Sequence, residues 1–293
     1  MRKVAIVLLN WDGLTDTLQC LASIANLEYS NYAVVVVDNG SAEDPSSIIQ
    51  EFPQTLLIRN KENEGFCRGN NIGISKAAAL GADYCWILNN DTEVASDSLG
   101  KLVAVLDRER GVAAVTNRID YFYDKRLCWF AGGIFRNGLP AHRGFFAENV
   151  QSDSFATEYL SGCSFLARTS VLQAMQGFDE KYFCYNEDID LSVRLVRRGL
   201  GIGYVNDAVV WHKVSRSTGE TSPIKLYYKH RNMLYFLGKF CFPSSSRRRW
   251  WKISLRYAAS LVVKHRKPRA AWYLVRGLRD AVIGRMGRFA SLN

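Results

Sequence analysis

The chain has 293 residues, 48% hydrophobic and 23% charged, an ordinary globular composition with material for a large core and one or two domains. Its net charge is +10, yet thirteen basic residues and a single acid, Asp280, fall from Arg247 onward, so the tail carries +12 and the rest −2. The basic surface therefore belongs to the tail, and the seven scattered cysteines, with no CxxC pair, argue against a disulfide framework or zinc knuckle and suit a reducing cytosol.

Val4–Leu9 reads as a first strand. Its apolar run is too short for a signal peptide and meets Asn10 and Asp12 at once. Thr15 to Leu27 has helical spacing, with Leu18, Leu21, Ala22 and Ala25 on one face. Ala33–Val37 is a second apolar strand, Leu56–Arg59 a short third, and Tyr84–Leu88 a fourth. Asn70 to Leu80 is an alanine-rich helix that Gly81 suits as a terminator. Strands apolar on both sides, alternating with helices, predict a mostly parallel sheet covered on both faces. Ligands of such sheets sit beyond the carboxyl ends of the strands. Three strands here end in polar clusters: Asn10-Trp11-Asp12, Asp38-Asn39-Gly40-Ser41 and Asn89-Asn90-Asp91. Turn chemistry explains each one alone; their common edge favours a site.

The stretch from Asp120 to Gly162, rich in glycine and aromatics, yields no element by pattern. Beyond it, Asn186 reads as an N-cap, Glu187 to Arg198 as a helix with Ile189, Val193, Val196 and Leu200 on one face, and Gly199 as its C′ residue. Glu187, Asp188 and Asp190 crowd its first turn. The macrodipole accounts for one or two acids there; three leave room for a functional carboxylate. Arg194, four residues after Asp190, reads as its surface partner. GLGIGY follows a helix and has the wrong spacing for a dinucleotide loop, and no Gly-Lys-Ser/Thr occurs. A diphosphate would need another device, and a divalent cation on carboxylates is the ordinary one.

Seven stretches in fixed order make a stronger statement: VAIVLLNWDGLTDTLQCLASI, VVVVDNGS, NEGFCRGNNIGI, WILNNDTEV, YLSGCSFLARTSVL, GFDEKYFCYNEDIDLSVRLVRRG and VVWHKVSRST. Together they resemble family 2 inverting glycosyltransferases of the GT-A fold, and within them the rhamnosyltransferase-like branch that builds bacterial surface polysaccharides. The resemblance implies an α/β nucleotide-sugar transferase with a catalytic domain over 1–222, divided into a nucleotide-binding part, 1–118, and an acceptor and catalytic part, 119–222. Asp38 would accept a hydrogen bond from the nucleotide base, with Asn10 in the same pocket. Asn63, Gly65, Phe66, Asn70, Asn71 and Asn90 would line the ribose and phosphates. Asp91 and His212 would hold Mg²⁺ or Mn²⁺. The family's first signature carboxylate is here the amide Asn89, which leaves fewer anionic ligands. Asp188 would be the base that deprotonates the acceptor hydroxyl, with Glu187 as the other candidate or as an orienting group. Read without the resemblance, Asp38 suits a turn, Asp188 a helix first turn and His212 a structural histidine; Trp11 divides evenly between nucleotide and core.

From residue 223 the character changes. Trp251, Leu255, Ala258, Ala259 and Val262 recur at helical spacing, basic residues surround them, and Pro268 separates two helices. A basic amphipathic C-terminal region over 223–293 reads as a surface for an anionic membrane; the plain alternative is a helical cap with a solvated basic face. No nucleic-acid motif accompanies the charge, and no run of about twenty apolar residues predicts a spanning helix. The expected protein is thus cytoplasmic and peripheral on the inner face of the plasma membrane. It would move a sugar, dTDP-L-rhamnose first and a UDP-hexose second, to a saccharide or lipid-linked acceptor with inversion. A non-catalytic nucleotide-sugar-binding or scaffolding subunit is the alternative.

Overall fold

The computed structural model describes residues 1–148, 150, 157–214 and 221–289. Ser215 to Thr218, the end of the last matching stretch, lie outside them. The strands are β1 (Val4–Asn10), β2 (Tyr32–Asp38), β3 (Leu56–Arg59), β4 (Tyr84–Asn89), β5 (Thr92–Val94), β6 (Val112–Tyr121), β7 (Cys128–Phe130), β8 (Gly133–Arg136), β9 (Leu139–His142), β10 (Ser164–Arg168) and β11 (Gly201–His212). The helices are α1 (Leu14–Ile24), α2 (Ser47–Glu51), α3 (Gly65–Ala79), α4 (Ser98–Arg108), α5 (Thr169–Ala174), α6 (Glu187–Arg197), α7 (Pro223–Lys239), α8 (Ser244–Val263) and α9 (Pro268–Val282).

Nine strands form one sheet in the order β3-β2-β1-β4-β10-β6-β11-β5, with β7 on β6; β8 and β9 form a separate hairpin. β10 lies antiparallel between β4 and β6, so β6 and β11 run the same way as β1 to β4. The sheet is mostly parallel, as expected, and only β5, β7 and β10 oppose it. Side-chain alternation feeds two cores. Ala5 and Val7 of β1 face one, with α3, α5, α6 and part of α7; Val4, Ile6 and Leu8 face the other, with α1, α2 and α4.

Several elements differ from the sequence reading. The helix expected from Asn70 starts at Gly65, whose φ of +83° and close approach to Phe183 leave no room for a Cβ. β6 runs through residue 118, so the two parts of the catalytic domain share one continuous sheet. In α6, Ile189 is buried but Val196 is 51% exposed, because the packing face is set by Leu191 and Leu195. Gly81 and Gly199 have the positive φ expected of helix terminators, and Arg194 pairs with Asp190 at 2.6 Å, but Asp190 is buried against Tyr182 and Lys239 rather than on the helix surface.

The last three helices enclose a small core of Leu226, Leu234, Ala258, Leu261, Leu274 and Leu278. Pro268 opens α9, as expected. The stripe on α8 is not the one read from spacing: Ser254, Ala258 and Leu261 turn inward, while Leu255 and Val262 are exposed. Close packing against neighbouring helices selected the side with small residues. α7 also contributes Met233, Phe236 and Leu237 to the main core, so it joins both units. Among the described residues no helix is long and apolar enough to cross a membrane.

Candidate active site

Parallel register brings the ends of β1 and β2 together, with Asn10 opposite Asp38. Asn10 Nδ2 donates to Asp38 Oδ1 at 2.7 Å, and the Ser41 hydroxyl donates to the same oxygen at 2.6 Å. Asp38 Oδ2 receives only a 3.3 Å contact from the Ser41 N–H, so this buried carboxylate keeps acceptor capacity. Thr17 donates to Asn10 Oδ1 at 2.9 Å and accepts from Asn90 Nδ2 at 2.9 Å, which ties the end of β1 to the end of β4. Trp11 is 46% exposed beside this group, so it does not fill the core.

The glycine-asparagine segment is arranged differently. Asn63 Oδ1 accepts from Gly65 N at 2.8 Å and from Asn39 Nδ2 at 3.1 Å, an internal turn. Phe66 packs edge-on against Phe178, and buried Asn70 donates to Phe66 O within its own helix. Asn71 departs from the phosphate contact the resemblance implied. Its amide is held by the Phe178 N–H, the Phe178 carbonyl and Glu180 at 2.8–3.1 Å, so it pins α3 to the segment before α6.

At the next strand ends, β5 pairs with β11 so that Thr92 lies opposite His212. That register sets Asp91 Oδ1 3.1 Å from His212 Nε2. Burial works to raise the Asp91 carboxyl, but the charge and hydrogen bond of His212 hold it below its ordinary value. Burial likewise opposes charge on His212, yet Asp91 and the Cys163 thiol keep its pKa well above that of a free imidazole. His212 Nδ1 is buried without a partner. Lys213, next in the chain, bonds Asp16 at 2.7 Å and fixes the strand end to α1.

Cys163 and Gly162 join this pair to the acids of α6. The Cys163 carbonyl accepts from Asn89 N at 2.8 Å, and its thiol contacts His212. The Gly162 N–H donates to Asp188 Oδ2 at 2.8 Å, while Asp188 Oδ1 accepts from Ile189 N at 2.8 Å. Asp91, about a hundred residues before Asp188 and His212 in the chain, is thus brought to the same end of the sheet as both through the adjacent residues Gly162 and Cys163. Burial raises the Asp188 carboxyl against the pull of those N–H groups. Burial and the neighbouring Asp188 raise Glu187 further, and Glu187 Oε2 has no partner.

The turn before α6 is strained and held from α7. Phe183, Tyr185 and Asn186 have φ of +66°, +69° and +73°. Bulky residues rarely adopt such values unless the surroundings impose them. Asn232 Nδ2 lies 2.6–3.0 Å from the carbonyls of Tyr182, Cys184 and Tyr185. Fully buried Arg231 donates to Tyr182 O at 2.8 Å and to Gly287 O at 2.6 Å. Asn186 occupies the N-cap position, but its side chain points to Met233 and makes no cap bond. Sequence reading missed Arg231 and Asn232, although two polar residues inside the apolar helix YYKHRNMLYFL were a signal. It also missed Gly162, Cys163, Trp129 and His142, which no local pattern marks.

The Asp38 carboxylate, the Asp91–His212 pair and the buried Asp188 carboxylate stand at one end of this mixed sheet, which has the architecture of a glycosyltransferase of the GT-A fold. Residues 6–175 match glycosyl transferase family 2, and the chain belongs to that family. Among its relatives, the N-acetylglucosaminyl-diphospho-decaprenol L-rhamnosyltransferase of Mycobacterium tuberculosis is 26% identical over 262 residues, 81% of this chain and 82% of that one. The dTDP-rhamnosyl transferase RfbF of Shigella flexneri is 24% identical over 74% of this chain and 75% of its own length. The fold is shared with GalNAc-T7, solved with UDP, GalNAc and Mn²⁺, at a TM-score of 0.64 and 15% identity over 81% of this chain and 48% of that one. It is shared also with the mannosyltransferase PcManGT of Pyrobaculum calidifontis, in complex with GDP-Man and Mn²⁺, at 0.61 and 16% over 99% and 76%.

Proposed function

We propose that this family 2 glycosyltransferase transfers L-rhamnose from dTDP-L-rhamnose, with inversion, to a lipid-linked saccharide during bacterial surface-polysaccharide synthesis. The observation that carries it is the Asp188 carboxylate, raised by burial and fixed by the Gly162 N–H on the same edge as Asp91 and His212. The rhamnosyltransferase relatives supply the sugar and the lipid-linked acceptor. In this reading Asp38 accepts the imide N–H of the thymine and Asn10 orients Asp38. Asp188 takes the proton of the acceptor hydroxyl as it attacks the anomeric carbon. Glu187, its carboxyl raised by burial and then by the neighbouring Asp188, orients the acceptor.

A divalent cation fits the Asp91–His212 pair. The imidazole Nε2 and a carboxylate oxygen already face each other, and both are Mn²⁺ or Mg²⁺ ligands. Among the described residues no third His, Cys, Asp or Glu completes a cluster, so diphosphate oxygens and water would complete the shell, with the Asn89 amide at its border. Such a cation offsets the charge on a departing diphosphate.

α8 and α9 support membrane contact. Leu255, Val262, Val263, Trp272, Val275 and Val282 are exposed apolar residues there, among exposed Arg248, Lys252, Arg256 and Arg279. Basic residues near an anionic surface contribute about 1 kcal/mol each. Together they support a peripheral position on the cytoplasmic face of the membrane. A galactofuranosyl donor is the second reading, because galactofuranosyltransferase GlfT1 of Mycobacterium tuberculosis aligns over 95% of this chain at 23% identity.

The test is a thermal-shift panel of nucleotide sugars with Mn²⁺ or Mg²⁺, followed by transfer assays of Asp188→Asn. The binding donor raises Tm by mass action. Asp188→Asn keeps that shift and loses turnover by about 10²-fold or more; retained turnover refutes the assignment. The acid limb of the rate profile lies above the ordinary carboxylate range, because the base acts only when deprotonated and its pKa is raised.

A further inference from the structure

An aromatic patch runs outward from His212 on the side away from Asp38. The Trp129 ring stands edge-on to His212 at 5.0 Å and to His142 at 4.7 Å. Phe145 lies 6.1 Å beyond His142, and Phe146 4.5 Å from Phe145, stacked on Tyr121. Phe145 and Phe146 are 52% and 58% exposed. The hairpin of β8 and β9 and the short β7 carry the first part of this patch, and no helix covers Phe145 or Phe146 among the described residues.

Two further facts bear on what the patch binds. His142 is neutral at physiological pH: burial, with the charges of Lys229 and His212, lowers its pKa to about 4 against the Trp129 carbonyl. Its Nδ1 lies 3.3 Å from that carbonyl, so the tautomer with the proton on Nδ1 satisfies the contact and leaves Nε2 as an acceptor. Buried Tyr159 packs behind the patch, 6.2 Å from His142. The patch therefore begins against the Asp–His pair at Trp129 and ends at Phe145 and Phe146. The nucleotide end, at Asn10 and Asp38, lies across β4 and β10 from it.

We propose that Trp129, His142 and Phe145 form the subsite for the sugar ring of the acceptor, with a C–H face of the ring on exposed aromatic carbon and a hydroxyl donating to the imidazole. This rests on the transferase reading above. The electron-rich face of an aromatic ring attracts the weakly positive C–H edges of a pyranose, and a few polar groups in an apolar lining fix its orientation. A bare alkyl chain would cover Phe145 but leave the His142 acceptor without a partner. The chemistry therefore favours the sugar over the lipid.

Saturation-transfer NMR on the full chain tests this with three probes: methyl N-acetylglucosaminide, octyl N-acetylglucosaminide and 1-octanol. Saturation of the sugar-ring protons of both glycosides is expected. Phe145→Ala and Trp129→Leu should each weaken glycoside binding at least fivefold, and Phe145→Ala, remote from His212, should leave the donor-induced thermal shift unchanged. The subsite is refuted if ring protons receive no saturation, if octanol displaces the octyl glycoside, or if both variants bind like the wild type. Ring saturation without any donor shift in the wild type would uphold the subsite and count against the transferase reading, so the two fail separately.

Discussion

Replacing Asn232 by alanine tests whether α7 holds the turn that presents Glu187 and Asp188. The Asn232 amide reaches three carbonyls at 2.6–3.0 Å. Tyr182 O keeps its bond from Arg231, so the substitution removes the bonds to the Cys184 and Tyr185 carbonyls and leaves the part-buried Cys184 carbonyl the most exposed to loss. An unsatisfied buried polar group costs about 1–3 kcal/mol, and water entering the gap recovers part. Phe183 and Tyr185 hold φ values that bulky residues rarely adopt, so the turn relaxes in part once the amide is gone. That relaxation lowers the net loss while moving the turn. A destabilisation of about 2–3 kcal/mol follows, or a fall in Tm of roughly 4–12 °C for a protein of this size. Turnover should fall far more than donor binding, because Asp188 moves and Asp38 does not. Asn232→Asp should be worse than alanine, since it sets a carboxylate against carbonyl oxygens. The assay pairs a thermal melt with the donor thermal shift and a transfer rate. An Asn232→Ala protein that melts within 1 °C of the wild type and turns over normally would show that the turn stands without α7.

Glu187→Gln should change the pH dependence of stability. The folded state raises the Glu187 pKa, so it binds that proton more tightly than the unfolded chain. The resulting stability is complete below the unfolded value and is lost as pH rises through the folded one. Urea melts should show a gain for the variant at pH 7 that vanishes near pH 4; an equal gain at both would remove the charge from the explanation. His212→Ala and Asp91→Asn should each abolish the part of the donor thermal shift that depends on Mn²⁺ while keeping any metal-free part, and a full Mn²⁺ effect in both would exclude the pair as ligands.

Much of the fold was legible because it rests on local pattern. The runs at Val4–Asn10, Tyr32–Asp38 and Tyr84–Asn89 are apolar on both sides, and only a doubly covered strand needs that. Gly81 and Gly199 marked helix ends because each needs a positive φ. The resemblance, rather than any spacing, pointed to Asp91, His212 and Asp188 as a group. The resemblance set Asn71 at the ribose and phosphates, whereas the partners of its amide lie 107 and 109 positions away in the chain. The stripe on α8 misled because helical spacing says that a face exists and not which face a neighbour takes.

By itself the sequence determined the first four strands, the helix ends at Gly81 and Gly199, the family and the uneven charge. Those follow from short-range sterics, hydrophobic periodicity and residue identity, which the chain carries wherever it is placed. Tertiary structure alone decided that β10 reverses between β4 and β6, that Cys163 and Gly162 link His212 to Asp188, and that α7 grips the turn ahead of α6. Those depend on strand register and on hydrogen bonds between groups far apart in the chain, and both arise only when the sheet closes on its helices.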